Sequence, residues 1–170
     1  SYTAYNADVT DPMGAGFSVI QGNTKYPITV AGGESAKVDT NGNLVWNVAK
    51  ELDENHHTIT FYIQYDTSTG SDNNNPLPTN DGAELTFTTD KEGNVRGTPV
   101  TVGNPELPNP SKKVSYNDGY TTDNSGLPDE PQYADKYYWP TTDVTIAGDL
   151  TSAPDGYEFD GWYRGDEKAT

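Results

Sequence analysis

Short segments in which apolar and polar side chains alternate most constrain what this chain can fold into. Between Thr58 and Tyr65 every second residue is aliphatic or aromatic, and these side chains share one face of an extended strand. Leu44, Trp46 and Val48 share a face in the same way. The predicted strands are 17–20, 26–30, 35–38, 43–48, 58–65, 83–89 and 95–102. Short strands at this density over about a hundred residues predict a β-sandwich.

Turn chemistry and local propensity define the segments between these strands. Asn41-Gly42 stands between 35–38 and 43–48, and an Asn-Gly pair between two β-prone segments predicts a tight hairpin. Residues 1–15 carry several Asp and Gly residues, so we expect a lead-in with at most one short edge strand. Residues 49–55 are too few for a stable helix, and we expect one helical turn that acts as a connector.

A proline-rich segment divides the chain. Residues 104–113 contain Pro105, Pro108 and Pro110, which is typical of a stiff linker. We therefore predict a mainly β protein with an Ig-like β-sandwich at 1–103, a linker at 104–113 and a second, smaller module at 114–170. The chain begins without Met and ends in a charged stretch, so we expect a fragment of a longer protein.

Composition excludes several classes of function. The chain has 26 acidic and 10 basic residues, a net charge of −16, and such a field repels nucleic acids and anionic membranes. No signal peptide or membrane span is recognised. The chain has no cysteine, which excludes disulfides and thiolate chemistry. An acidic, cysteine-free chain rich in Thr, Asn and Tyr suits an exported bacterial surface protein.

The sequence offers no catalytic or metal-binding constellation. His56 and His57 are adjacent, would point to opposite faces of a strand, and are expected to be a solvated loop pair. Paired carboxylates carry no information in a chain with 26 acids. The turns at 39–43 and 90–94 place Gly at position four, whereas an EF-hand loop has it at position six. We predict no enzyme, no resident metal and no cofactor, with adventitious Ca²⁺ at these turns left open.

Two other site hypotheses concern aromatic and lysine side chains. Tyr137, Tyr138 and Trp139 are candidate sugar-stacking residues, although a core role in an aliphatic-poor module is favoured. The long polar loop at 66–82 is a second candidate ligand surface. An intramolecular isopeptide bond between a buried Lys and an Asn or Asp would replace disulfides. The lysines considered for it are Lys25, Lys37 and Lys50.

The second module resembles a known family through one aromatic motif. Residues 114–119, the strand candidate 144–146 and above all 156–163, Gly-Tyr-Glu-Phe-Asp-Gly-Trp-Tyr, are similar to the Listeria–Bacteroides repeat, the B-repeat of internalin-type surface proteins. The resemblance covers residues 112–168 and implies a small β-grasp-like module in a stalk or adhesin. Apolar and acidic residues alternate from Tyr157 to Asp160, which predicts an extended strand. We expect Tyr157, Phe159 and Trp162 to face inward. The family continues with a further strand after the Gly-Trp, whereas this chain stops at Thr170.

The first module resembles, more loosely, the Ig-like or pilin-like sandwiches of Gram-positive surface proteins. Residues 42–48 and 58–61 carry this resemblance. We therefore predict a non-catalytic fragment of a secreted, cell-wall-attached bacterial adhesin or stalk, which presents or spaces a ligand-binding module. Its partners would be a host protein or glycan and neighbouring repeats of the same parent chain. The alternative is a carbohydrate-binding accessory module of a secreted glycan-degrading enzyme.

Overall fold

The computed structural model describes residues 3–67 and 73–170, and these form two compact units. The first unit contains 3–67 and 75–109, and the second contains 73, 74 and 110–170. The described residues are almost entirely strand, turn and irregular structure, which confirms the mainly β prediction. Within them, no helix has the length and apolar character needed to cross a membrane.

A five-stranded antiparallel sheet is the main element of the first unit. Its strands lie in the order β3, β4, β1, β7, β8. Shorter pairings of β2 with β5 and of β6 with β9 complete the unit. The strands are β1 (Tyr5–Asp11), β2 (Phe17–Val19), β3 (Ser35–Val38), β4 (Leu44–Glu51), β5 (Ile63–Tyr65), β6 (Leu77–Pro78), β7 (Glu84–Thr88), β8 (Val100–Thr101) and β9 (Glu106–Leu107).

The strand at the centre of this sheet is β1, so the expectation of an edge strand in residues 1–15 is wrong. β1 pairs with β4 on one side and with β7 on the other. Ala7 is fully buried there, although Asn and Asp around it disfavour a strand by propensity alone. Asn6 has a φ of 53° beside an irregularity in the strand register, a conformation that Asn tolerates better than most residues. Pairing on both sides overrides the weak local preference.

The hairpin predicted at Asn41-Gly42 is present, and β4 continues beyond it. β3 pairs with β4 in the register Val38 to Leu44, and Gly42 has a φ of 80° that favours glycine. β4 extends to Glu51 and residues 52–55 form no helical turn, so the helical turn expected at 49–55 is wrong. Residues 49–51 remain extended because Ala7 and Tyr5 of β1 pair with Ala49 and Glu51.

In the predicted strand 58–65 the side chains alternate between the two faces as expected, but few of its residues form strand hydrogen bonds. Its odd-numbered residues are half-buried and its even-numbered residues are exposed, as the alternation predicts. Regular pairing is confined to β5, with one bridge between Thr29 and Thr60. Ile59 packs against the buried cluster of Ala7, Trp46 and Val48. The segment thus covers the main sheet, and the predicted strand 26–30 reduces to the Thr29 bridge.

The second unit is built around aromatic side chains with few strands. Its described strands are β10 (Lys112–Val114), β11 (Lys136–Tyr138), β12 (Tyr163–Arg164) and β13 (Glu167–Lys168), with a 3₁₀ turn at Pro131–Tyr133. They form two separate two-stranded ladders, β10 with β11 and β12 with β13. The expected β-grasp module is wrong, because residues 110–170 contain no continuous sheet packed on a helix. Tyr133, Ala147 and Leu150 form the buried cluster instead.

The motif at 156–163 is not the strand that its alternation predicts. Residues 157–162 belong to no strand, and only Tyr163 of the motif does. Phe159 and Trp162 pack against the buried cluster, as expected. Tyr157, however, is 78% exposed, so the expectation that it faces inward is wrong. Gly156, with a φ of 84°, turns the backbone before it. The predicted strand 144–146 is also without strand pairing.

The predicted module boundaries stay a prediction. Residues 106–107 of the proposed linker pair with 77–78 in the first unit, and residues 112–113 begin β10 in the second. The contacts divide the chain between Asn109 and Pro110. Residues 68–72 of the loop at 66–82 lie outside the described residues.

Candidate functional site

A groove of about 1510 Å³ in the second unit is the candidate ligand site. Its lining comes from residues 112–169 of that unit alone. Aromatic rings and a few polar groups around a concave surface are typical of ligand sites. The aromatic lining consists of Tyr116, Tyr120, Tyr138, Trp139, Tyr157, Phe159, Trp162 and Tyr163.

Part of this aromatic lining is structural. Tyr116 and Trp162 contact each other edge to face, with ring centres 4.8 Å apart, and Phe159 lies 5.2 Å from Trp162. The indole N–H of Trp162 donates a hydrogen bond to the backbone carbonyl of Gly148 at 3.1 Å. The backbone N–H of Ala147 donates to the hydroxyl oxygen of Tyr116 at 2.8 Å. These contacts tie the groove to the buried cluster, so its floor is rigid.

Another part of the lining is exposed to solvent. Tyr157 is 78% exposed, Tyr163 50% and Tyr120 49%. A single exposed aromatic side chain is ordinary on a folded protein, but three in one groove form a patch. This exposed set was missed from the sequence, because Tyr157 lies in a motif whose alternation predicts an inward ring.

Two of the sequence-predicted ligand residues, Tyr138 and Trp139, line this groove, and their role as a ligand site stays a prediction. Tyr137 and Tyr138 are half-buried on β11. Tyr138 lines the groove, with the Lys136 ammonium 5.1 Å from its ring centre. Trp139 is 3% exposed, so its ring belongs to the interior of the unit and presents no face for stacking. The favoured core role therefore fits Trp139 better.

The groove has a balanced charge within an acidic unit. Residues 110–170 contain twelve acidic and five basic residues. The lining contains equal numbers of each sign: Lys112, Lys113 and Arg164 against Asp118, Glu158 and Asp160. The field over the groove is therefore weaker than over the rest of the unit.

Asp118 organises the loop that carries Tyr120. Burial acts to raise the pKa of Asp118, but hydrogen bonds from the Thr121 hydroxyl and from backbone N–H groups outweigh it and lower the pKa to about 2. The backbone donors are those of Tyr120, Thr121 and Gly126, at 3.0, 2.8 and 2.8 Å. The carboxylate therefore holds both ends of the loop while remaining ionised at neutral pH.

Asp160 holds Tyr163 in a similar way. The Tyr163 hydroxyl donates a 2.5 Å hydrogen bond to the Asp160 carboxylate, and Lys168 Nζ lies 3.8 Å from its other oxygen. The hydrogen bond from Tyr163, with the nearby ammonium, lowers the pKa of Asp160. The same bond raises the pKa of Tyr163, so the phenol stays neutral and remains a donor.

His57, in the first unit, departs from its sequence interpretation. Its Nε2 lies 2.6 Å from Asp53 Oδ1 and its Nδ1 lies 3.2 Å from Glu34 Oε2. The expectation of a solvated pair is therefore wrong for His57, while His56 is exposed. Hydrogen bonding to Asp53, and then to Glu34, raises the pKa of His57. The indole of Trp46 donates to the other Glu34 oxygen at 2.8 Å, so this cluster fastens a loop to β4.

The acidic turns have structural partners, and the cofactor prediction stays a prediction. Asp39 accepts backbone hydrogen bonds from Asn41 and Asn43, and Asp90 accepts them from Asn94 and Val95. These are hairpin-turn bonds. In residues 3–67 and 73–170, no three His, Cys, Asp or Glu side chains are grouped as a metal site would require.

The lysines considered for an isopeptide bond are all on the surface. Lys25, Lys37 and Lys50 are exposed, and so are the other lysines of the chain. A lysine must lose its proton to attack a carboxamide or carboxyl carbon, and burial is what favours the neutral amine. The structure thus offers no buried lysine for this chemistry.

Comparison with known proteins identifies a relationship for most of the chain. A family model described as the tip pilin GBS104-like, Ig-like domain matches residues 3–106. The solved structure of the three N-terminal domains of the type V pili tip protein Mfa5 from Porphyromonas gingivalis is similar, with a TM-score of 0.47 and 17% identity. That match covers 85% of this chain and 31% of that chain, so the chain spans under a third of its length. No curated protein matches the sequence.

The family match confirms the Ig-like fold class and corrects the family assigned from the aromatic motif. The resemblance to the Listeria–Bacteroides repeat is wrong, because the family model that matches the chain is that of a tip pilin Ig-like domain. The motif residues 156–163 agree with this correction, since they do not form the strand of a β-grasp sheet. A Gly-Tyr-x-Phe-x-Gly-Trp pattern also fits a turn-rich aromatic segment.

Proposed function

Because the chain belongs to the family of tip pilin GBS104-like Ig-like domains, we propose that it is an adhesive segment of a bacterial surface pilus. Proteins of this family are bacterial surface proteins of the pilus type, and the acidic, cysteine-free composition agrees with that setting. The match to residues 3–106 is the observation that carries the proposal. In it, the first unit is structural and the second unit binds the ligand.

The architecture of the first unit suits a load-bearing role. β1 pairs on both sides over most of its length, so pulling on one end of the chain must break several hydrogen bonds together. Trp46 and Val48 of β4 pack behind it. We expect this unit to act as a spacer and to associate with other pilus subunits rather than to catalyse a reaction.

The second unit supports the adhesive part of the proposal. Its groove presents exposed Tyr120, Tyr157 and Tyr163 on a rigid aromatic floor. Exposed Tyr rings are frequent at binding surfaces, because they offer a large contact area at low cost in conformational entropy. We infer that this groove, and not the loop at 66–82, is the ligand surface.

Two measurements test the proposed function. Immunogold labelling of intact source bacteria with antibodies raised against this chain should decorate surface fibres, and label confined to the cell interior would overturn the proposal.

Beads coated with the purified chain should adhere to epithelial cells more than beads coated with serum albumin. Surface labelling without bead adhesion would support a spacer role for the chain and would contradict the adhesive role.

A further inference from the structure

The three exposed tyrosines of the groove point to a class of ligand. Burying an exposed Tyr ring against a ligand removes apolar surface from water, which is favourable. A single exposed aromatic is ordinary, but Tyr120, Tyr157 and Tyr163 line one concavity. We infer that the groove binds an uncharged carbohydrate chain whose sugar rings lie against these tyrosines. This inference rests on the proposed function and specifies its ligand.

Two of the three rings are held by side-chain contacts, and a turn fixes the backbone of the third. The Tyr163 hydroxyl is bonded to Asp160. Tyr120 lies over Gly126, where an added Cβ would come within 2.2 Å of the phenol oxygen. The Gly126 N–H in turn donates a hydrogen bond to the Asp118 carboxylate. A turn positions Tyr157, whose backbone N–H donates to the Pro154 carbonyl at 3.0 Å. Rings that are fixed before binding lose little conformational entropy when a ligand arrives.

The charges select an uncharged ligand. A sialylated or sulfated glycan would approach a chain of net charge −16, and this field slows the association of anions. The lining of the groove carries three acidic and three basic side chains, so it offers hydrogen-bond acceptors and donors without a net charge of its own. Hydroxyl groups both donate and accept hydrogen bonds, and a neutral sugar presents many of them. Apolar ring faces and hydroxyl edges therefore match this lining.

An array of immobilised glycans tests the inference with the complete chain. The array would carry uncharged hexose and N-acetylhexosamine oligosaccharides together with sialylated and sulfated versions. We expect binding to uncharged glycans that changes little with salt, since screening affects charge-dependent binding most. Tyr157→Ala should weaken it about tenfold or more, because loss of about 1.4 kcal/mol of stacking corresponds to that factor. Tyr157→Phe should keep most of the binding, since the ring remains.

Tyr62→Ala is the matched control. Tyr62 is 40% exposed and lies in the first unit, outside the groove, so its removal should leave glycan binding unchanged. Binding only to acidic glycans, no binding to any glycan, or full binding by Tyr157→Ala would each overturn the inference. If coated beads adhere to cells while the array stays negative, this inference fails and the adhesive function stands. If neither occurs, the adhesive function fails as well.

Discussion

Asn80 and the buried Asp11 form an amide–carboxylate pair that joins two distant segments of the first unit. Asn80 Nδ2 lies 2.7 and 2.8 Å from the two carboxylate oxygens of Asp11, which is 7% exposed. Burial raises the pKa of Asp11, and the hydrogen bond from Asn80 partly offsets this by lowering it. The end of the central strand β1 is thereby fastened to a segment 69 residues later in the chain.

Asn80→Asp should destabilise the first unit strongly at neutral pH. The substitution replaces the side-chain amide donor with a second carboxylate at the same distance from Asp11. Two carboxylates within hydrogen-bond range of each other do not both ionise readily. We expect a loss of about 2–3 kcal/mol in the free energy of unfolding by urea at pH 7. The loss should shrink at about pH 4, where the pair shares a proton. Asn41→Asp, at an exposed turn position, is the control, and an equal loss there would contradict this account.

Gly97→Ala should test the packing of β7. A Cβ at this position would come within 2.0 Å of the Phe87 ring, which packs against the buried cluster of the sheet. The ring would have to shift, and overpacking of this kind costs about 1–3 kcal/mol. Gly103→Ala is a matched control, since no atom lies within 4 Å of its added Cβ. Urea titrations of both variants check the difference, and similar midpoints would show that Phe87 yields freely.

His57 should make the stability of the first unit depend on pH. Hydrogen bonding to Asp53 and Glu34 raises its pKa above the ordinary 6.5, so its contribution is complete below pH 6.5 and is lost as the pH rises through the folded-state pKa. The hydrogen bond from His57 also lowers the pKa of Asp53 below 3.8. The stability that Asp53 contributes is therefore lost only when the pH falls through this lowered pKa. Melting temperatures of the wild type and His57→Gln should therefore differ more at about pH 5 than at about pH 8.5. A difference independent of pH would exclude the ionic contribution.

In the first unit, side-chain alternation correctly predicted which residues face inward. It was a poorer guide to which residues form strand hydrogen bonds. Residues 58–65 alternate between half-buried and exposed as expected, yet only 63–65 form a ladder. The central position of β1 could not be predicted, because Ala7 and Asp11 are buried by partners far along the chain. Local propensity carries no information about such long-range pairing.

The sequence drew attention to the aromatic residues of the second unit, but not to those that the structure exposes in the groove. Aromatic residues of the second unit were expected either to stack on sugars or to form a core, and the structure divides them. Trp139 is buried, whereas Tyr157 is exposed because Gly156 turns the backbone ahead of it. The sequence motif contains both the glycine and the tyrosine, but a strand period was assumed across the turn. A turn interpretation of 154–157 would have found the exposed ring.

The intact mass of the chain should equal the mass calculated from its sequence. An intramolecular isopeptide bond would lower it by about 17 or 18 Da, through loss of ammonia or water. All eight lysines are in the described ranges and are exposed, so none of them lies in the buried setting that formation of this bond requires. Electrospray mass spectrometry of the denatured chain measures this directly. A mass lower by that amount would show that a lysine reaches a buried carbonyl in some other conformation.

Trp139→Ala should unfold the second unit rather than remove a ligand contact. The Trp139 ring is 3% exposed, and truncation of a buried Trp costs about 3–5 kcal/mol. A unit of about sixty residues has little stability to spare, so this loss is enough to unfold it. Tyr157→Ala should change stability by less than about 0.5 kcal/mol, because that ring is 78% exposed. Limited proteolysis should cleave the Trp139→Ala variant within 110–170 while the first unit stays intact. If the Trp139→Ala variant resists cleavage but loses glycan binding, Trp139 contacts the ligand.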